Sequence, residues 1–149
     1  MLPDWIEFCA LLSTHRADYL VVGGQAVIAH GHPRLTRDID LWVRPMALNG
    51  SRVVLALAAF GAAPSGLTAE QFENPRTLLM LDREPFRIDI LTDIPGLTFE
   101  QACDARVYVS VDGASLPLIG KAELIRNKRA VGRLQDLADA DELEKLGQA

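Results

Sequence analysis

The segment from Asp38 to Val43 constrains the fold of this chain more than any other stretch. Its sequence, Asp-Ile-Asp-Leu-Trp-Val, follows the two-residue period of a β-strand. Residues two apart on a strand point to the same side, so Asp38 and Asp40 project together while the residues between them point into the core. A solvated strand face is the plain alternative. Such a pair alone is more often structural than catalytic, but aspartate is poorly suited to strands, and three of them in mid-strand positions behind a glycine turn favour metal ligands.

A second strand carries another carboxylate. The runs from Leu78 to Leu81 and from Phe86 to Leu91 are β-prone and bracket the polar residues 82–85, which predicts a hairpin. With the apolar side chains of the later run in the core, Asp89 faces away from it. Three carboxylates can then converge, and their mutual repulsion is unfavourable unless cations neutralise it. Oxygen ligands suit magnesium, so the sequence predicts a site for two Mg²⁺ ions at Asp38, Asp40 and Asp89.

A glycine pair precedes the acidic strand. The apolar run from Tyr19 to Val22 meets Gly23 and Gly24 and is followed by a helical stretch through about His30. Glycine lets backbone N–H groups approach a phosphate closely, and the start of a helix carries partial positive charge. A tight strand-to-helix turn would explain the glycines equally well.

The remaining segments predict an α+β fold in which helices flank a small mixed β-sheet, formed as one domain over residues 1–149. Helices are expected from Asp4 to about His15, from Ser51 to Phe60, from Phe99 to Asp104, from Lys121 to Val131 and at the end of the chain. Asp4 and Asp136 are the expected caps of the first and last helices, and Gly61 and Gly132 are expected to end two others. Further strands are expected from Val107 to Val111 and near Leu116.

Charge and composition restrict the class of protein. The net charge of -5 disfavours a protein that grips nucleic acid without sequence preference. A short C-terminal stretch is nevertheless basic, which suits phosphate held at a defined site; it contains Lys121, Arg126, Lys128, Arg129 and Arg133. Cys9 and Cys103 lack CxxC spacing, which indicates reduced thiols. No leader-like start and no apolar run of about 20 residues is present, so we expect a cytoplasmic protein without a membrane segment.

Several of these patterns together resemble a known superfamily. Val22-Gly23-Gly24, then Arg34-x-Thr36-x-Asp38-Ile39-Asp40-Leu41, then Asp89 are similar to the signature of polymerase-beta-type nucleotidyltransferases. The tail, from Leu124 to Arg129 and from Gly132 to Asp139, resembles that of minimal bacterial nucleotidyltransferases of the abortive-infection (AbiEii-like) toxin type. The resemblance extends from about Tyr19 to Leu143. It departs from the pattern at Gln25, where many relatives have a serine beside the glycines.

The resemblance implies a role for each matching residue. Asp38 and Asp40 would bind two metal ions, and Asp89 would join them and help to activate the incoming hydroxyl. The implied nucleotide-binding residues are Gly23, Gly24, Arg34, Thr36, Lys128, Arg133 and Asp136.

Plainer roles are open for several of these residues and their neighbours. Lys128 and Arg133 could face solvent on a helix, and Asp136 could act only as a helix cap. Arg34 and Arg37 could contact phosphate or neutralise the acidic strand. Trp42 could stack on a base or pack in the core. We expect the three histidines, His15, His30 and His32, at the surface or in loops.

The implied activity is magnesium-dependent transfer of a nucleoside monophosphate from a nucleoside triphosphate to a hydroxyl of RNA, protein or a small molecule. The resemblance also implies a place in a toxin–antitoxin pair, with an antitoxin as partner. The alternative is a nucleotide-binding or toxin–antitoxin interaction module with little turnover. A protein that only binds nucleic acid is disfavoured by the acidic balance and by the lack of interleaved aromatic and basic residues.

Overall fold

A six-stranded mixed sheet organises residues 1–147, the part of the chain that the computed structural model describes, the side chain of Arg83 excepted. The strands are β1 (Tyr19–Val22), β2 (Asp38–Val43), β3 (Leu78–Arg83), β4 (Phe86–Leu91), β5 (Val107–Val111) and β6 (Ala114–Leu118). Their order across the sheet is β3-β4-β2-β1-β6-β5. β2 pairs with β4 and β1 with β6 in parallel, whereas β1–β2, β3–β4 and β5–β6 are antiparallel.

Helices flank this sheet, so the expected α+β fold with a small mixed sheet is confirmed. They are α1 (Pro3–Thr14), α2 (Gly23–Ala29), α3 (Ala47–Phe60), α4 (Phe99–Asp104), α5 (Lys121–Val131) and α6 (Leu134–Leu146), with a 3-10 helix at Ala69–Glu73 that the sequence did not predict. α1 packs against α3, α2 contacts β1 and β2, and α5 packs against α6. Among residues 1–147, no helix has both the length and the apolar character that crossing a membrane requires.

The strand periodicity places the core as expected. Ile39 and Leu41 on β2 and Ile88 and Ile90 on β4 have no solvent exposure. Trp42 is also buried and packs edge-on against the Phe99 ring with 5.2 Å between the ring centroids. The packing role is therefore correct for Trp42, and its ring is not accessible to a base.

Three helix starts differ from the expectation. α1 begins at Pro3, whose fixed φ suits the first helical position, so Asp4 lies inside the first turn and is not the N-cap. α3 begins at Ala47, because the buried amide of Asn49 bonds to the backbone of Asp18 and holds the Asn-Gly pair within a helix. α6 begins at Leu134.

The start of α6 corrects the role of Asp136. The N-cap of this helix is Arg133, which provides no side-chain cap, and Asp136 lies within the first turn. The two helix stops were predicted correctly, since Gly61 and Gly132 take the left-handed conformation that ends α3 and α5. Cys9 and Cys103 are free thiols, as expected.

Candidate functional site

Three carboxylates meet on one face of the sheet because β2 and β4 run in parallel register. Asp40 lies directly beside Asp89, and Asp38 lies two residues earlier on the same face of β2. One carboxyl oxygen from each residue can be chosen so that all three lie within 4.8 Å of one another. We call Asp38, Asp40 and Asp89 the acid cluster. Their convergence on one face is the arrangement that the strand periodicity predicted.

Arg87 neutralises part of the acid cluster, and the sequence analysis did not identify it. Its Nε donates to Oδ1 of Asp89 at 2.7 Å, while its Nη2 donates to Oδ2 of Asp89 at 2.9 Å and to Oδ2 of Asp38 at 3.1 Å. The signal in the sequence was the Arg-x-Asp spacing on β4, which puts both side chains on one strand face. The contact to Asp38 depends on the parallel register, in which Asp38 and Arg87 are partners.

Asp40 has the most perturbed carboxyl group of the cluster. Burial, and then the negative charges of Asp89 and Asp38, raise its pKa to about 7. The positive charge of Lys128 opposes this rise. Asp40 is therefore a carboxyl group that the metal-free fold keeps difficult to ionise, and a cation placed beside it would favour the charged form.

The glycine pair packs directly against the acidic strand. β1 and β2 are paired so that Val22 lies beside Asp40, and Gly23 follows with a φ of 68°. A Cβ at Gly23 would lie 2.0 Å from Oδ2 of Asp40, and one at Gly24 would lie 3.2 Å from the Thr36 hydroxyl oxygen. Both glycines therefore permit a close approach to side chains around the acids. This approach is a packing reason for glycine that spacing alone did not reveal.

Two buried carboxylates on α6 hold three cationic side chains nearby. Oδ1 of Asp136 lies 3.2 Å from Nζ of Lys128, and its Oδ2 lies 2.7 Å from Nε of Arg133. Asp139 has no solvent exposure, lies 3.4 Å from the same Nζ and also pairs with Arg34. We call Arg34, Lys128 and Arg133 the basic wall. Burial raises the pKa of Asp136, but hydrogen bonds from Arg133 and Lys128 outweigh it and hold that pKa below its usual value.

The structure shows which side chains some of these residues contact. Arg34 pairs with Asp139 on α6, whereas Arg87 neutralises the acids. Lys128 is buried and does not face solvent, although the Arg133 side chain is 77% exposed. The amide of Gln135 donates to Asp139 at 2.9 Å. The fully buried position of Asp139 could not be inferred from its spacing in the sequence.

A cleft of about 320 Å³ brings most of the predicted residues together. Asp89 lies in the acid cluster at this cleft, and the other nine all line it: Gly23, Gly24, Arg34, Thr36, Asp38, Asp40, Lys128, Arg133 and Asp136. The cleft also includes residues that the sequence analysis did not single out, among them Asp93, Asn127 and Gln135. The buried Asn127 side chain donates to the Pro95 carbonyl at 3.0 Å.

The other basic and histidine side chains play different parts. The C-terminal basic stretch does not form a single patch, because Arg129 pairs with Glu144 and Asp141 on α6 and does not line the cleft. His30 is half-buried, and its Nε2 bonds to the Ile119 carbonyl at 2.7 Å, so its place is less exposed than expected.

The donor set of the acid cluster fits a magnesium ion. All its candidate ligands are carboxylate oxygens on two adjacent strands, and such hard donors are the ones that Mg²⁺ selects. The charge balance agrees, since the single positive charge of Arg87 is shared between the carboxylates of Asp38 and Asp89 and leaves part of their negative charge uncompensated.

The fold is similar to those of solved nucleotidyltransferases. The lincomycin-bound crystal structure of lincosamide antibiotic adenylyltransferase LnuA matches with a TM-score of 0.59 and 14% sequence identity, over 97% of this chain and 96% of that chain. A putative nucleotidyltransferase from Thermotoga maritima matches with a TM-score of 0.57 and 13% identity, over 100% of this chain and 96% of that chain. No family model and no curated protein sequence matches this chain. The chain therefore has a nucleotidyltransferase-like fold.

Proposed function

We propose that this protein is a magnesium-dependent nucleotidyltransferase that moves a nucleoside monophosphate from a nucleoside triphosphate to a hydroxyl group. The observation that carries the proposal is the acid cluster at a cleft that the basic wall also lines. The acid cluster can hold metal ions and the basic wall can contact phosphate, and a metal-bound triphosphate requires both kinds of contact. The similar fold of solved nucleotidyltransferases supports it.

Asp38, Asp40 and Asp89 would hold the metal, with two ions proposed. Magnesium bound there would neutralise the carboxylates and withdraw charge from phosphate oxygens. The acceptor oxygen attacks the α-phosphorus, a new O–P bond forms, and the bond to the β-phosphate oxygen breaks so that pyrophosphate leaves. We assign to Asp89 the activation of the acceptor hydroxyl, and its carboxylate would accept the proton that the hydroxyl loses as the new bond forms.

The remaining cleft residues would position the triphosphate. Gly23 and Gly24 present backbone next to the acids without side chains in the way. Lys128 and Arg133 are fixed by Asp136 and contribute positive charge close to Asp40. We assign phosphate contacts to these residues together with Arg34 and Thr36. Asp136 would orient the side chains of Lys128 and Arg133.

Transfer of label from triphosphates that carry it on the α-phosphate tests this proposal. Purified protein is incubated with each of the four ribonucleoside triphosphates and magnesium, with RNA, protein and small-molecule fractions of a cell extract as acceptors. We expect label in one fraction with the wild type and none with Asp40→Asn or in excess chelator. Labelling by Asp40→Asn at the wild-type level would contradict the assignment. Triphosphate binding without any labelling would favour a nucleotide-binding module.

The acceptor and the biological setting belong to the same proposal. Hydroxyls of RNA, protein and small molecules are the three classes considered, and the lincosamide adenylyltransferase among the similar structures, named for an antibiotic, supports the small-molecule class. The proposed toxin–antitoxin role rests on the resemblance of the tail, and the proposed cytoplasmic location rests on the reduced thiols of Cys9 and Cys103. A neighbouring gene for a DNA-binding antitoxin that co-purifies with this protein would support that role.

A further inference from the structure

We infer that Arg87 is a built-in counterion that competes with divalent cations for the acid cluster. The inference rests on the metal-binding part of the proposed function. It adds that metal uptake at this site is an exchange, in which the Arg87 guanidinium leaves carboxylate oxygens that the metal then takes.

The contacts of Arg87 use the atoms that a metal would need. Both oxygens of Asp89 accept from the guanidinium, at 2.7 and 2.9 Å, and Oδ2 of Asp38 accepts at 3.1 Å. Carboxylates so engaged have fewer free lone pairs to offer. The structure gives Asp40 no hydrogen bond or ion pair from Arg87 among the described residues, so the guanidinium covers the Asp38–Asp89 side of the cluster.

The guanidinium can leave the cluster without disturbing the core. The Arg87 side chain is 40% exposed and that of Asp38 is 37% exposed, so this ion pair lies at the solvent-facing edge of the cluster. The pair with Asp38 therefore contributes little to stability, whereas the two bonds to Asp89, whose side chain is only 8% exposed, contribute most of it. A long side chain can still move its charged end into water. A divalent cation brings more charge than a guanidinium and repels it at this range, so the two cations are poorly tolerated together.

This arrangement has two consequences that a merely structural arginine would lack. In the metal-free protein, Arg87 relieves repulsion within the acid cluster and so stabilises the fold. When metal is supplied, the same contacts must be given up, which lowers the apparent affinity for the metal. Removal of Arg87 should therefore lower the free energy of unfolding of the metal-free protein and, at the same time, increase its affinity for the metal.

Calorimetric titration with Mn²⁺, in the absence of nucleotide, tests the inference on the full chain. Four proteins are compared: the wild type, Arg87→Gln, Arg87→Lys and the control Arg37→Gln. Arg37 precedes Asp38 in sequence and is exposed, so its variant loses the same charge without losing a contact to the cluster in the described structure. We expect Arg87→Gln to bind Mn²⁺ about tenfold more tightly than the wild type, Arg87→Lys to fall between them, and Arg37→Gln to stay within about threefold of the wild type.

Thermal unfolding provides the second readout. In chelator, the Tm of Arg87→Gln should be below that of the wild type. On saturation with Mn²⁺, the Tm of Arg87→Gln should rise by more than that of the wild type. Arg87→Lys retains the charge and carries the comparison if Arg87→Gln does not fold.

Equal or weaker Mn²⁺ binding by Arg87→Gln would overturn the inference and leave the proposed function standing. No Mn²⁺ binding by any variant would contradict both. Tighter binding by Arg87→Gln, without nucleotidyl transfer by the wild type, would support the exchange and contradict the proposed function.

Discussion

Close contacts beside the acid cluster determine which side chains fit at the positions around Asp40. Gly23 has a positive φ, and a Cβ there would lie 2.0 Å from Oδ2 of Asp40. The strand period correctly placed the three acids, because side-chain direction along one strand is a local property. The Arg87–Asp38 contact spans 49 positions and depends on the register of β2 against β4, which no local pattern specifies.

Replacement of Gly23 by alanine should damage the site more than strain alone explains. We expect Gly23→Ala to destabilise the protein by more than about 2 kcal/mol and to reduce transfer, because the methyl group displaces the Asp40 carboxylate. Gly66→Ala is the matched control, since Gly66 has a φ of 80° with open space around its Cβ position. Gly66→Ala should lower the free energy of unfolding by only about 1 kcal/mol. Urea unfolding measures the free energy of unfolding of both variants. Equal decreases in the two variants would show that the contact with Asp40 does not contribute.

The raised pKa of Asp40 predicts a pH dependence of stability in chelator. Between the ordinary value of 3.8 and about 7, the folded state retains a proton that the unfolded state releases, so the free energy of unfolding falls as pH rises through this window. The loss attributable to Asp40 is at most about 4 kcal/mol at about 1.4 kcal/mol per pKa unit. Asp40→Asn should remove this part of the decrease. Urea unfolding at about pH 5 and about pH 8 measures it, and parallel decreases in both proteins would contradict the assignment.

At the scale of elements, α6 is joined to the loop before β2 by charges that are far apart in sequence. Arg34 and Asp139 are separated by 105 positions and pair where Asp139 has no solvent exposure. The ends of α3 and α5 were predictable, because glycine in the left-handed conformation ends a helix locally. The start of α3 was not, because Asn49 is held in the helix by the backbone of Asp18 on a different segment. Local signals thus determined the ends of α3 and α5, whereas a tertiary contact determined the start of α3.

Removal of the buried carboxylate on α6 should be costly. We expect Asp139→Ala to lower the free energy of unfolding by about 3 kcal/mol and to weaken triphosphate binding, because Lys128 and Arg34 lose a shared partner inside the protein. Glu142→Ala, on the same helix, removes an exposed pair with Lys145 and should change stability by less than about 1 kcal/mol. Chemical unfolding and calorimetry with triphosphate report the two effects. Unchanged triphosphate binding in a folded Asp139→Ala protein would limit Asp139 to a structural role.

At the scale of the whole molecule, the cleft joins the acid cluster to two members of the basic wall, Lys128 and Arg133, that come from the C-terminal part of the chain. The acids lie on β2 and β4, whereas Lys128 lies on α5 and Arg133 is at the N-cap position of α6. The strand and helix pattern predicted the fold class, but the parallel pairings of β1 with β6 and of β2 with β4 required the structure. Because the cleft joins both parts, we propose that residues 1–149 act as one folding domain, and ligand binding should stabilise both parts together.

Thermal unfolding with ligand tests the domain and the site in one experiment. A ligand at 100-fold excess over its Kd stabilises the folded state by about 2.7 kcal/mol, which corresponds to a rise of about 5 to 10 °C for a domain of this size. We expect that rise with the preferred triphosphate and magnesium together, as one transition seen alike by far-ultraviolet circular dichroism and tryptophan fluorescence. Excess chelator and Asp40→Asn should each abolish most of it. Two separate transitions would contradict the single domain, whereas an equal rise in chelator would remove the metal from nucleotide binding.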